Sequence, residues 1–188
     1  MNLPLCLLPD ATRVRLETWA LEPAQSTLTL TLRARPATAP CPLCGARSKR
    51  VHSRYQRTLA DLPWGEHAVT VLLNVRRLFC DNIRCERRIF AERLPNVAAP
   101  WAHRTVRLTG QLTAVGLALG GAAGARLGDK LRLAASRNTL LRLVRQGPLP
   151  DITTPSVLGV DEGVSKTWGV TPRAGLVGGQ SVRPEARL

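Results

Sequence analysis

The chain has 188 residues, 44% of them hydrophobic, and its 27 Lys and Arg against 13 Asp and Glu give a formal net charge of +14. This length and apolar content suit one sizeable folded domain or two to three small ones, and they exclude a wholly disordered chain. No stretch approaches the roughly 18 uninterrupted apolar residues of a membrane span, and the first ten residues lack the basic start of a secretion signal, so we expect a cytoplasmic protein.

The positive charge is concentrated in the middle of the chain. The net charge is +8 over 41–110 and +5 over 111–150, whereas it is +1 over 1–40 and zero over 151–188. Of the 27 basic residues, 24 are arginines, and arginine-rich, acid-poor segments suit partners that carry phosphate. A GC-rich genome would also raise the arginine content, but it would not concentrate the charge in one region. The distribution therefore favours a basic binding surface.

The first 40 residues are predicted to form a β segment. Apolar and polar residues alternate over Thr27–Ala34, which is the pattern of a strand with one buried face. The same reasoning predicts a second strand over 67–76 and a third over 88–91. The residues expected on the buried faces of the first two strands are Leu28, Leu30, Leu32, Val69, Val71, Leu73 and Val75.

Four of the five cysteines form two close pairs, one in CPLCG and one in CDNIRC. Zinc prefers four soft ligands in a tetrahedron, and two tight turns can each supply two thiolates. We therefore predict a β-rich module over 41–103 that holds a structural Zn²⁺ ion, with no open position for a substrate. The alternatives are free thiols or a disulfide. The predicted ligands are Cys41, Cys44, Cys80 and Cys85.

Two histidines and the fifth cysteine are further potential metal ligands. His52 and His67 lie between the pairs and could replace a ligand, but four cysteines already complete a site. We expect both histidines at the polar surface or beside the ligands. Cys6 has no cysteine near it in sequence and is expected to be a small buried apolar residue.

The pattern changes to helical spacing after residue 104. We predict one helix from Arg104 that ends at Gly120 and Gly121, a second over 122–131, and a third with Ser136 as its N-cap and Gly147 just past its end. The short turn between the last two helices predicts a helix-turn-helix domain over 104–147. A plain three-helix bundle with a solvated basic face is the alternative.

The last of these helices carries the candidate DNA contacts. Its apolar residues Leu140, Leu143 and Val144 are expected to face the core. Arginine can bond guanine edges or phosphate, and asparagine can bond adenine. The residues expected on the exposed face are Arg137, Asn138, Arg142 and Arg145.

Several segments, in this order, resemble bacterial insertion-sequence transposases of the ISL-three group. They are CPLCG, SKRVHSRYQRTLADLPW, VRRLFCDNIRCERRIFAERLP, GGAAGARL, SRNTLLRLVR and VLGVDE, and the similarity covers about residues 30–162. The resemblance implies an N-terminal zinc module, a helix-turn-helix that recognises the terminal inverted repeats of the element, and a ribonuclease-H-like catalytic domain. In that domain two Asp and one Glu would hold two Mg²⁺ or Mn²⁺ ions for phosphoryl transfer on DNA.

The resemblance also implies a role for Asp161. This residue matches the first catalytic acid, after a strand within a linker region over 148–162, and Glu162 matches its acidic neighbour. The 26 residues that follow Glu162 depart from the family and contain Glu185 as their only acidic side chain. A ribonuclease-H-like sheet needs on the order of a hundred residues, so we expect Asp161 to be inactive in this chain. The segment 163–188 is expected to be an unrelated, irregular tail.

Together these inferences predict an α+β protein, with a four-cysteine zinc module followed by a three-helix helix-turn-helix domain. The predicted function is that of a nucleoid-associated DNA-binding fragment of a transposase, whose partners are double-stranded terminal repeats and either full-length transposase or a second copy. The alternatives are a zinc-ribbon module that binds protein, a remnant without function, or an active transposase. The last would need acids that the sequence does not contain.

Overall fold

The structure is a computed structural model that describes residues 7–147. Cys6, Asp161, the predicted linker and the predicted tail lie outside the described residues. Within them, the chain forms seven strands and two helices, with a short 3-10 helix at Pro23–Gln25. Their bounds are β1 Val14–Glu22, β2 Thr27–Ala34, β3 Ala39–Pro40, β4 Arg47–Ser48, β5 Val51–Trp64, β6 His67–Phe79, β7 Ile89–Ala91, α1 Val106–Lys130 and α2 Arg137–Gln146.

A five-stranded sheet dominates the fold, and β6 is its centre. The order is β1-β2-β6-β5, and β7 pairs with the end of β6 beyond β2. The β2–β6 pair is parallel, whereas β1–β2, β5–β6 and β6–β7 are antiparallel. The sheet therefore contains strands from both the predicted N-terminal segment and the predicted zinc module. The short strands β3 and β4 form a separate hairpin.

The core lies against one face of this sheet, as the alternating pattern predicts. Every residue assigned to the buried faces of β2 and β6 is at most 6% exposed, which confirms the two strands and their orientation. After β7 the chain crosses this face, where Leu94 and Val97 join the core. It then reaches the free side of β5, where Ala60 pairs with Arg104 in a parallel bridge. This crossing delivers the chain to the start of α1.

The helical part corrects the expected fold class. A three-helix helix-turn-helix domain is wrong, because the described chain has two helices and is mostly strand. The predicted stop at Gly120 coincides with a break in helical geometry: Gly120 has φ 69° and ψ −168°, and two helical segments meet across the kink within α1. Helix α1 continues past this kink to Lys130, and it pairs with α2 as a hairpin.

Glycines explain why α1 stays a single packing unit across the kink. A Cβ atom at Gly116 would lie 2.8 Å from Val144 Cγ2, and one at Gly124 would lie 2.9 Å from Leu140 Cδ1. Both positions contact α2, one on each side of Gly120. The bare backbone of α1 therefore lets α2 approach both halves of the helix.

Both ends of α2 agree with the prediction from sequence. Ser136 is the N-cap and accepts a hydrogen bond from the Thr139 backbone amide at 3.3 Å, and Gly147 is the C-cap.

Neither helix of the described part combines the length and the apolar character needed to cross a bilayer.

A buried ion pair joins the helical hairpin to the sheet. Asp61 on β5 has a fully buried side chain and receives two bonds from Arg107 on α1, Nη2 to Oδ2 at 2.6 Å and Nε to Oδ1 at 2.8 Å. The Thr105 hydroxyl, at the N-cap of α1, donates to Asp61 Oδ1 at 2.6 Å. Arg107 also donates to the carbonyls of Leu7 and Leu8. One arginine thus connects the N-terminal segment, β5 and α1.

Candidate metal centre and basic surfaces

The four predicted cysteine ligands converge on one point. The Sγ atoms of Cys41, Cys44, Cys80 and Cys85 all lie within 4.8 Å of one another, and those of Cys44 and Cys80 are 3.6 Å apart. A tetrahedral site with Zn–S bonds of about 2.3 Å would place its sulfurs about 3.8 Å apart. The thiols are free of disulfides. The donor set and its spacing therefore fit a zinc ion, as predicted.

The first pair lies in the turn of the β3–β4 hairpin. The Cys41 amide donates to the Ala46 carbonyl at 2.8 Å, and the Gly45 amide donates to the Cys41 carbonyl at 2.9 Å. Gly45 has φ 75°, a left-handed conformation that glycine adopts without strain. The glycine after CPLC thus allows the chain to turn back so that both thiols face the same point.

The second pair lies in the connection from β6 to β7. The Cys80 amide donates to the Arg88 carbonyl at 2.8 Å, and the Cys85 amide donates to the Asn82 carbonyl at 3.1 Å. The Asn82 side chain also accepts the Arg84 amide at 3.0 Å, which tightens this wider turn. Cys41 and Cys85 are buried together with a small second core. The apolar residues of that core are Ala39, Leu78 and Phe90.

A second buried ion pair holds the first turn near the second. Arg76 on β6 binds the buried Glu92, Nη2 to Oε1 at 2.6 Å and Nε to Oε2 at 2.9 Å. The same guanidinium donates to the carbonyls of Pro36 and Ala37, just before β3. The hydrogen bonds and charge of Glu92 raise the pKa of Arg76, so the cation is permanent. No local sequence signal pointed to this contact, because its partners lie far apart in the chain.

The thiols differ in how readily they lose a proton. A hydrogen bond from the Ala46 backbone lowers the pKa of Cys44 to about 7. For Cys80 a hydrogen bond from the Asn82 backbone acts in the same direction, but desolvation and hydrogen bonds with the other thiols raise the pKa to about 12. Four thiolates this close repel one another strongly. A shared divalent cation would relieve that repulsion and allow all four to bind as thiolates.

The histidines lie outside the four-cysteine group. Among the described residues, that group contains no histidine. His52 packs edge-on against Phe79, with ring centroids 5.0 Å apart, so it lies beside the strand that leads to Cys80. His67 pairs with Trp64 at the β5–β6 turn.

Helix α2 presents the predicted basic face. Leu140 is 1% exposed and packs on α1, while Leu143 and Val144 are partly buried. Among the described residues, none of the ion pairs involves an arginine of α2. The four residues predicted to contact DNA are all exposed: Arg137, Asn138, Arg142 and Arg145. Their exposure agrees with the predicted orientation of the helix, and their contact with DNA stays a prediction.

The four-cysteine segment is similar to a known zinc finger. Residues 37–85 match the family profile described as the zinc-finger of transposase IS204/IS1001/IS1096/IS1165. The match covers about a quarter of the 188 residues, and it includes all four cysteines. No curated protein and no solved structure matches the chain significantly. Residues 37–85 are therefore similar to the zinc ribbon of ISL3-type transposases.

Proposed function

We propose that this chain binds DNA as the N-terminal part of a transposase, and that its target is the terminal inverted repeat of an insertion sequence. The observation that carries the proposal is the transposase-type zinc ribbon over 37–85, with its four converging thiols. Proteins that act at the ends of such elements must first bind those ends.

The role of the metal in this proposal is structural. Four thiolates complete a tetrahedral shell and leave no position for water or substrate. The ion would connect the β3–β4 turn to the β6–β7 connection, and the basic residues around these turns would be held in place. Lys49, Arg84 and Arg87 are exposed there.

Helix α2 supplies the proposed sequence-reading surface. Its ten residues span about 15 Å, and a helix of this size fits the major groove of DNA. Arg142 and Arg145 would contact phosphates or guanine edges, and Asn138 would contact adenine. The large excess of arginine over acid predicts an affinity that falls steeply with salt. The proposal assigns no catalytic step to the described residues.

A gel shift on terminal-repeat duplexes tests the proposal. Arg142→Ala is expected to weaken specific binding by about tenfold, since one contact to a base is worth roughly 1–3 kcal/mol. Arg137→Ala should act in the same direction. Arg15→Ala on β1 is the matched control, because it removes another exposed arginine, from the far edge of the sheet.

The gel shift distinguishes specific DNA binding from its alternatives. Equal binding to any duplex would leave only nonspecific electrostatic association. Absence of duplex binding by zinc-loaded protein at low salt would refute the proposal and favour a ribbon that binds protein. Incubation of terminal-repeat DNA with Mg²⁺ or Mn²⁺ tests for strand transfer separately, and transfer by this chain would contradict the expectation that Asp161 is inactive.

A further inference from the structure

A cleft of about 490 Å³ lies beside the zinc ribbon, and neither the metal centre nor α2 uses it. It is bounded by β5, by the segment that crosses the sheet after β7, and by residues of both cysteine turns. Its volume falls in the range of small-ligand sites. The side chains that give it its chemical character are Tyr55, Arg57, Arg87, Arg93, Trp101 and His103.

Trp101 at this cleft is held in an unusual position. Trp101 is 93% exposed, the highest value among the large apolar residues of the described chain. Its φ is 61°, a left-handed conformation that is an outlier for a bulky aromatic residue. The Ala102 amide donates to the Ala99 carbonyl at 3.2 Å, so Trp101 occupies the third position of a turn whose second position is Pro100. Glycine is the usual residue there.

The turn is held at both of its ends by one arginine. Arg57 on β5 donates from Nη2 to the Ala99 carbonyl at 3.0 Å and to the Ala102 carbonyl at 2.7 Å. These bonds hold the two ends of the turn against the sheet. The exposed indole is thus presented by a braced backbone, and strain of this kind in a braced turn is typical of ligand-contact sites.

The charge of the cleft is positive. Arg87 and Arg93 are exposed, and neither takes part in an ion pair within the described part of the chain. Glu92 is the acidic residue of the lining, and Arg76 already neutralises it at 2.6 Å. An anionic ligand with a flat ring would satisfy both the free cations and the exposed indole.

We propose that this cleft binds an unpaired nucleotide of single-stranded DNA, with the base stacked on Trp101 and the adjoining phosphates near Arg87 and Arg93. Stacking on an aromatic platform beside a basic groove is how proteins bind single strands without sequence preference. The inference shares its class of ligand with the proposed function, but it uses residues distant in sequence from α2. It predicts a second mode of DNA binding, in which the chain holds a base that has left the duplex.

The sharpest test replaces Trp101 with the residue that the turn favours. Trp101→Gly should leave the unfolding temperature unchanged or higher, because it removes the strained conformation. The same variant should bind a fluorescein-labelled oligothymidylate about tenfold more weakly in fluorescence anisotropy, since it removes a stacking surface. Trp101→Phe keeps an aromatic ring and should retain most of the affinity. The affinity for heparin, a polyanion without bases, should be the same for Trp101→Gly and the wild type.

The opposite results would overturn the inference. Equal oligothymidylate affinity in Trp101→Gly and wild type would exclude stacking on Trp101. Equal loss of heparin and oligothymidylate would show that the variant disturbs the basic surface, and it too would overturn the proposal. Duplex binding with Arg142→Ala reports on the proposed function alone. The two proposals can therefore fail separately.

Discussion

Cys44 and Cys80 come from different turns, and their sulfurs lie 3.6 Å apart. Replacing both removes one ligand from each pair, which leaves too few thiolates for a closed site. Cys44→Ser combined with Cys80→Ser is therefore expected to abolish bound zinc, as measured by atomic emission on purified protein. Unchanged metal content would contradict a four-thiolate centre. Cys6→Ser is the control, because Cys6 has no cysteine near it in sequence.

Two glycines of α1 should respond to alanine in opposite directions. A Cβ atom at Gly128 would lie 2.9 Å from the Leu133 carbonyl oxygen, a backbone atom that cannot rotate away, whereas one at Gly110 would meet nothing within 4 Å. Gly128→Ala is expected to lower the free energy of unfolding by about 1–3 kcal/mol. Gly110→Ala should raise it by up to about 1 kcal/mol, through helix propensity alone. Urea unfolding of both variants measures the difference.

The contact between β5 and α1 depends on one buried carboxylate. Asp61 on β5 receives Arg107 and Thr105 from the start of α1, and its side chain is completely buried. Asp61→Ala is expected to lower the free energy of unfolding by about 3 kcal/mol, because Arg107 and Thr105 lose their acceptor. Chemical denaturation gives this value directly.

A second aspartate provides the comparison. Asp81 pairs with Arg50 at 3.1 Å, but the two side chains are 37% and 65% exposed. Asp81→Ala should therefore change the free energy of unfolding by less than about 1 kcal/mol. Equal effects of the two substitutions would show that the Asp61 pair does not join the sheet to α1.

The strands of the sheet differ in how clearly the sequence predicts them. Strand β2 alternates strictly and β6 has an apolar inner face from Val69 to Val75, so the sequence predicts both strands. Strand β5 carries Arg57 and Asp61 among its inward residues, so its hydrophobic alternation is broken. Those polar groups are satisfied by contacts with the crossing segment and α1, which lie far away in sequence. Strand β1 has a register shift between Leu16 and Thr18, and its side chains are mostly exposed.

The helical hairpin differs from the predicted three helices for a related reason. Glycines at 120 and 121 normally end a helix, and one residue does leave helical geometry there. Both segments of α1 nevertheless pack on α2, through Gly116 before the kink and through Gly121 and Gly124 after it. At its real end, Arg132 takes the left-handed position with φ 57°. The Leu133 amide then bonds to the Gly128 carbonyl at 2.8 Å, which closes α1 without a glycine at that turn.

At the scale of the whole molecule, the metal centre was more predictable than its surroundings. Cysteine spacing carries its own chemistry, so the ligands could be named from the sequence and their convergence is confirmed. The Arg76–Glu92 brace and the cleft at Trp101 arise only after β6, β7 and the crossing segment are placed together. Contacts of this kind depend on tertiary structure and leave no periodic trace in the sequence.

The parallel pairing of β2 with β6 has a consequence for dissecting the protein. Residues 37–85 contain β5 and β6 but not β2, so this segment alone would expose one edge of β6 from Ala68 to Asn74. It would also uncover Val71 and Leu73, which are at most 1% exposed in the intact chain. A free, apolar strand edge recruits other chains. The isolated ribbon is therefore expected to self-associate in light scattering even when zinc is bound, whereas a fragment of residues 7–147 should stay dispersed.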